Sequence, residues 1–216
     1  MESLNEIDVR VLGSLIEKEA STPDYYPLSL NALKLACNQS SNREPVMQLD
    51  DGAVMAATDR LRRKSLVRAL QKADARVMKY SHLMEEALEL DKRELAVLCV
   101  LMLRGPQTLA EIKTRTERLA DFVSTEIVEA TINGLMARNA GALVARLARQ
   151  PGQKEVRYAH LLSGEVAAGN DGEHVPAPSP VRGEDRVAQL ESAVSELRRE
   201  LADVRSQLAE FRKQFE

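Results

Sequence analysis

The sequence has few aromatic residues and no tryptophan. Phe, Trp and Tyr make up 3% of the 216 residues, whereas hydrophobic residues make up 44% and charged residues 29%. The cores must therefore be built mainly from Leu, Val, Ile, Ala and Met, which favours small helical domains over a β-sandwich or a barrel. A chain of this length has room for one or two such domains.

Cysteines and long apolar runs are also scarce. Cys37 and Cys99 lie far apart within helical patterns, which predicts small buried residues rather than a disulfide framework or a metal knuckle. The longest apolar run, residues 95–103, is about half the length of a membrane span. The first residues lack the basic and apolar regions of a signal peptide. We therefore expect a cytoplasmic protein that does not bind a membrane.

Sequence motifs of catalysis are missing too. The chain has three histidines, and no HExxH, GxSxG, paired CxxC or glycine-rich phosphate loop occurs in it. Its carboxylates are scattered over predicted exposed helix faces, where charge is expected anyway. The sequence therefore predicts a protein that is not an enzyme, with no catalytic residues, no metal site and no cofactor.

What the first 162 residues do contain is a divergent repeat. Tyr80 and His82 in one half match Tyr158 and His160 in the other, at an offset of 78 residues. Matching positions in two repeats favour a shared structural role for the histidines, such as closing the strand against the helices, over a ligand role. In both halves this segment alternates as a strand does, and a shorter apolar run precedes it as a second strand.

Three helical patterns precede the predicted hairpin in each half. Ser29 and Thr108 stand where N-caps are expected, and Asp50 and Asp51 precede the third pattern of the first half, in each case before an apolar stripe of helical spacing. Three helices followed by a hairpin is the winged-helix order. The predicted fold is mainly α with small β-hairpins (α+β), as two tandem winged-helix domains at residues 1–85 and 86–162. We expect each to have its own core and to move relative to the other.

The last part of the chain differs in composition. Residues 163–182 are rich in Gly, Ala and Pro, which predicts a flexible linker. Residues 183–216 repeat apolar side chains at alternating steps of three and four, which is typical of a coiled-coil helix. We expect a homodimer held by this helix, with an amphipathic helix packed on its own domain as the alternative. The predicted seam contains Leu190, Val194, Leu197, Leu201, Val204, Leu208 and Phe211.

Two blocks carry a resemblance to a known family. Residues 22–33, TPDYYPLSLNAL, and residues 37–46, CNQSSNREPV, resemble the YceH-like proteins of bacteria over the whole chain. The resemblance implies a tandem winged-helix fold with a helical tail, and it supplies no activity.

Basic residues cluster around the first predicted hairpin. Residues 60–79 hold eight of them, with Asp74 as the only acid, although the chain has a net charge of −3. In winged-helix proteins the third helix enters the major groove and the wing contacts phosphate or the minor groove. The predicted nucleic-acid-binding residues are Arg62, Arg63, Arg68, Lys72 and Arg76 in the first half and Arg146, Arg149 and Lys154 in the second.

Acidic residues argue against base-specific recognition. Asp50 and Asp51 begin one third helix, and Glu126 and Glu129 lie in the other. We therefore expect weak, sequence-tolerant binding of duplex DNA through the wings. The alternative is a protein-interaction scaffold, because tandem winged helices without basic recognition helices resemble segregation and condensation protein B. A positive wing face would favour DNA, and an apolar groove would favour a protein partner.

A polar loop follows the second predicted helix. It contains Asn38, Gln39, Ser40, Asn42 and Arg43, whose side chains can bind phosphates, bases or a peptide backbone. It is either an interaction loop or an ordered turn held by Asx and Ser hydrogen bonds to the backbone. The sequence leaves both interpretations open.

Overall fold

The computed structural model describes residues 3–71, 77–149 and 155–164. Within these ranges the chain is mixed α+β, with seven α-helices and two small three-stranded antiparallel sheets. Most of the predicted linker, the whole predicted coiled coil and both hairpin tips lie outside the described residues.

The first half follows the predicted order of three helices and a hairpin. Ser29 Oγ accepts from the backbone N of Ala32, and Asp50 Oδ1 accepts from the backbone N of Ala53, so both predicted N-caps are confirmed. The elements are α1 (Glu6–Ser21), a 3-10 turn (Pro23–Tyr25), β1 (Leu28–Ser29), α2 (Leu30–Cys37), α3 (Asp51–Arg63), β2 (Val67–Leu70) and β3 (Lys79–His82).

The second half repeats this order after one additional short helix. Thr108 and Glu111 form a reciprocal capping box at the start of α6, which confirms the third predicted N-cap. The elements are α4 (Met84–Leu88), α5 (Lys92–Arg104), β4 (Gln107–Thr108), α6 (Leu109–Thr116), α7 (Thr125–Met136), β5 (Val144–Arg146) and β6 (Arg157–His160).

Each predicted hairpin is present and gains a third strand. The strand orders are β1-β3-β2 and β4-β6-β5. Leu28 pairs with Tyr80 in the first sheet, and Gln107 pairs with Tyr158 in the second. The sequence analysis missed β1 and β4 because a two-residue strand has no alternation to recognise. Each ends at the N-cap of the next helix, so the strand ties that helix to the hairpin.

The buried apolar side chains of the two halves form one continuous cluster, whereas the sequence analysis expected each half to have a core of its own. The apolar run at 95–103 is buried because α5 packs against α1 of the first half as well as α6, α7 and β6 of its own. The helices meet closely at Gly13, whose carbonyl oxygen accepts from Cys99 Sγ at 3.4 Å. The backbone N of Leu4 also donates to Leu162 O at 2.8 Å.

The cysteines and the matched histidines are part of these cores. Cys37 and Cys99 are buried, as predicted, and burial raises the pKa of both thiols. The Nε2 atom of His82 lies 2.5 Å from Glu19 Oε2. Burial without such a partner lowers the pKa of His160 to about 4, so its ring is neutral at neutral pH. His82 and His160 therefore occupy matching positions in the sequence repeat, but their surroundings in the structure differ.

Two negative findings apply to the described ranges. No helix there is long and apolar enough to cross a membrane. No group of three or more His, Cys, Asp or Glu side chains there is placed to hold a metal ion.

Candidate nucleic-acid interface

The end of α3 and the start of β2 form an open groove lined by arginines. Helix α3 ends at Arg63, and the chain reverses through Ser65, whose φ of 58° is in the left-handed region. The backbone N of Leu66 then donates to Leu61 O. This tight turn brings Arg62 and Arg63 beside Arg68 of β2, in a groove of about 500 Å³.

The three arginines of this groove differ in how far they are neutralised. Arg62 Nη1 lies 3.2 Å from Asp59 Oδ1, so Asp59 pairs with Arg62. Arg63 has no ion pair or hydrogen bond with any described residue. Arg68 donates from Nε to Ser81 Oγ across the strand pair at 3.2 Å, which leaves its terminal nitrogens available. Among the described residues, no acidic side chain therefore pairs with Arg63 or Arg68.

Other basic residues of the cluster have different roles. Arg60 pairs with the buried Asp8 of α1, with 2.7 Å between Nη2 and Oδ1, so it joins α3 to α1. Lys79 is exposed on β3. Lys72 and Arg76 lie outside the described residues.

A second arginine-lined groove lies at the corresponding hairpin of the other half. Arg146 and Arg149 line an open groove of about 700 Å³ together with Leu147, Ala148 and Val156. Arg157 of β6 donates to Pro106 O at 2.8 Å and lies 3.4 Å from Glu111, so it supports the sheet and α6. Lys154 falls outside the described part of the chain.

The starts of α3 and α7 differ in charge. Asp50 caps α3, and Asp51 pairs with Lys34 of α2 at 2.9 Å, so much of the acidic charge expected to repel phosphate is compensated. Sequence analysis missed Lys34 because the pair joins two different helices. Glu126 and Glu129 are exposed on α7, which contains no Lys or Arg. The α3 surface is thus better suited to an anionic partner than the α7 surface.

The first hairpin also exposes apolar side chains. Val77 is 55% exposed, and Leu70 and Met78 are each 39% exposed. Leu70 is the last residue of β2, and Val77 and Met78 directly precede β3. The first hairpin therefore has a basic residue on β2 and exposed apolar residues near the strand ends.

The polar loop after α2 is held by hydrogen bonds from two of its side chains to the rest of the first half. Arg43 is buried and donates to Ala36 O, Asn42 O and Gln39 Oε1, and it pairs with Glu17 Oε2 of α1 at 2.6 Å. Asn38 exchanges two hydrogen bonds of 2.8 Å with the backbone of Leu49. Arg43 and Asn38 thus hold the loop, which agrees with the ordered-turn interpretation, and only Ser40 of the five residues is exposed.

The same loop also connects the two halves. The backbone N of Glu44 donates to Leu103 O of α5 at 2.8 Å. Asn42 Oδ1 accepts from Arg104 at the end of α5. On the other side, buried Arg10 of α1 donates to Cys37 O and Pro45 O. The loop residues expected to contact a partner therefore join α1, α2 and α5 within one chain.

Comparison with known proteins identifies relatives over most of the chain. Residues 4–153 match the family described as "Protein of unknown function, DUF480". A UPF0502 protein of Pelobacter propionicus is 53% identical over 196 residues, covering 88% of each chain. One of Geotalea daltonii is 51% identical over 194 residues, covering 88% of this chain and 87% of its own. One of Aliivibrio fischeri is 44% identical over 198 residues, covering 90% and 91%.

None of these descriptions gives an enzymatic activity. The identities and the coverage agree with the resemblance to YceH-like proteins that the residues at 22–33 and 37–46 carry. The chain therefore belongs to the DUF480 family, whose members include the UPF0502 proteins.

Proposed function

We propose that the chain is a non-enzymatic DNA-binding protein built from two winged-helix domains, residues 1–85 and 86–162, and a C-terminal coiled coil. The repeated order of three helices and a hairpin supports the winged-helix assignment. Each domain adds a short strand to its hairpin. The heptad pattern of residues 183–216 supports the coil.

The observation that carries this proposal is the arginine-lined groove present at the hairpin of each half. Arg63 and Arg68 line the first groove and Arg146 and Arg149 the second. Guanidinium groups bind phosphate oxygens in a forked geometry that does not depend on base sequence. The acidic surface of α7 disfavours base reading. The proposed activity is therefore sequence-tolerant contact with the phosphate backbone.

Replacing Arg63 and Arg68 together with Gln should weaken binding to all duplexes alike. Each lost phosphate contact lowers the slope of log K against log salt by about 0.9, because fewer condensed counterions are released. We expect the slope to fall by roughly two for each protomer that contacts DNA. Fluorescence anisotropy with random duplexes at several salt concentrations measures it.

Arg93→Gln is the matched control for this pair. Arg93 is an exposed arginine on α5 that donates to Asp121 O and lines neither groove. This variant should keep the wild-type slope. A double variant with the wild-type slope would show that the first groove does not contact phosphate.

The second candidate function is a protein-interaction scaffold, which the exposed Leu70, Val77 and Met78 favour. Clustered apolar side chains on a surface are typical of protein contacts. The DNA titration distinguishes the two functions, because a scaffold would show no detectable binding to random duplexes even at low salt. In that case Leu70→Ser and Met78→Ser would be the variants with which to map the partner surface.

The proposed coiled coil makes the protein a dimer. Leu197→Asp combined with Leu201→Asp places charges in the seam, where a buried unpaired carboxylate is strongly unfavourable. We expect the full-length variant to be a monomer by light scattering, whereas Ser195→Asp combined with Ala202→Asp, outside the seam, should stay dimeric. A seam variant that remains a dimer would show that another surface forms the interface.

A further inference from the structure

A cavity of about 260 Å³ lies where the polar loop meets the second half of the chain. Helix α1 contributes Glu17 and the loop contributes Asn42. Helix α5 contributes Arg104, and α6 and the turn after it contribute Arg115 and Arg118. The cavity is thus built from both halves and includes a residue of the CNQSSNREPV block. It is separate from the grooves at the two hairpins.

Positive charge in this cavity exceeds the negative charge available to balance it. Glu17 is already paired with Arg43 at 2.6 Å and lies 3.7 Å from Lys18. Glu111 lies 3.6 Å from Arg115, but it also caps α6 and lies 3.4 Å from Arg157. Arg118 has no ion pair or hydrogen bond with any described residue. At least one guanidinium charge therefore faces the cavity without an acidic partner.

Arg104 lies among the other positive charges of this cavity. Partial burial, together with the positive charges of Arg115 and Arg118, lowers the pKa of the Arg104 guanidinium below its ordinary value. Its hydrogen bond goes to the neutral Asn42 side chain, not to a carboxylate. A bound anion would relieve the repulsion among the three arginines.

We propose that this cavity binds the phosphate group of a small ligand between Arg104, Arg115 and Arg118. Convergent guanidinium groups suit a phosphate, which offers several oxygens to forked donors. The volume is slightly below the usual range of 300–1,000 Å³ for small-molecule pockets, so the cavity fits a phosphate with only a small attached group. Because the site spans both halves, the ligand would strengthen their association.

The test uses inorganic phosphate and pyrophosphate as probes with the full-length protein. Isothermal titration at constant ionic strength should show binding to the wild type. Arg118→Gln should raise the dissociation constant at least about tenfold, because one charge-assisted hydrogen bond is lost. Arg118 is exposed, so this variant should fold normally. Arg104→Gln should have a similar effect.

Arg93→Gln is the control, because it removes an exposed arginine of α5 that does not line the cavity and should leave phosphate binding unchanged. Affinity equal to wild type in Arg118→Gln, loss of binding in Arg93→Gln, or no binding of either probe at millimolar concentration would each overturn the proposal. Stronger binding of pyrophosphate than of phosphate would favour a diphosphate-containing ligand. DNA titration of Arg118→Gln should give the wild-type salt slope. The phosphate-binding proposal for the cavity and the DNA-binding proposal for the grooves are therefore tested independently.

Discussion

Replacing Glu17 with Ala should lower the free energy of unfolding by about 3–5 kcal/mol, because the Arg43 guanidinium would keep its burial and lose its counter-charge. The Arg43 side chain is 0% exposed and the Glu17 side chain 8% exposed, with 2.6 Å between Arg43 Nη2 and Glu17 Oε2. Urea unfolding followed by circular dichroism measures the change.

Three further variants separate charge from general disruption of α1. Glu86→Ala removes an exposed glutamate from α4 and should change stability by less than about 0.5 kcal/mol. Glu17→Gln keeps an acceptor oxygen and should lose less than Glu17→Ala. Adding Arg43→Met to Glu17→Ala should restore much of the loss, since it removes the uncompensated charge. Equal losses in Glu17→Ala and Glu86→Ala would show that this pair contributes little.

The starts of helices and the hairpins could be predicted because their signals are local. Ser29, Asp50 and Thr108 are polar residues placed directly before apolar stripes, and each caps its helix. The groove at the first hairpin was predictable for the same reason. Arg62, Arg63 and Arg68 are separated only by a tight turn, so closeness in the chain becomes closeness in space.

The association of the halves could not be predicted from periodicity. An apolar stripe shows that a helix face is buried, but it does not show what covers it. Helix α1 also buries polar side chains, including Arg10 and Glu17, whose partners lie well along the chain. The Arg43–Glu17 pair joins residues 26 positions apart. The sequence therefore allows an external partner for the polar loop as well as an ordered turn, whereas the structure shows hydrogen bonds from Asn38 and Arg43 to the rest of the chain.

Gly13 lies where α1 and α5 approach each other closely, so its replacement by larger residues is expected to change the stability of the protein. A Cβ atom on Gly13 would lie 3.0 Å from two side-chain carbons of Leu103 and 3.3 Å from Met102 Cβ. Gly134 in α7 is the matched control, because a Cβ there would meet nothing within 4 Å. Both glycines are helical, so each gains roughly 0.5–1 kcal/mol of helix stability on replacement by Ala. Any difference between the two variants reports the packing around them.

We expect Gly134→Ala to stabilise the protein by that amount, and Gly13→Ala to gain less because Leu103 must shift. Gly13→Leu should destabilise by about 1–3 kcal/mol, since a longer side chain has to enter a filled helix interface. Thermal and urea unfolding measure these changes.

Hydrogen exchange adds a local measure of the contact between the two halves. The Leu4 amide donates to Leu162 O. If the leucine side chain at position 13 separates the two halves, this amide should exchange faster in Gly13→Leu than in Gly13→Ala. Equal stability and equal exchange in the two Gly13 variants would show that α1 and α5 adjust to a leucine without moving apart, and that the shared core is not held by this contact.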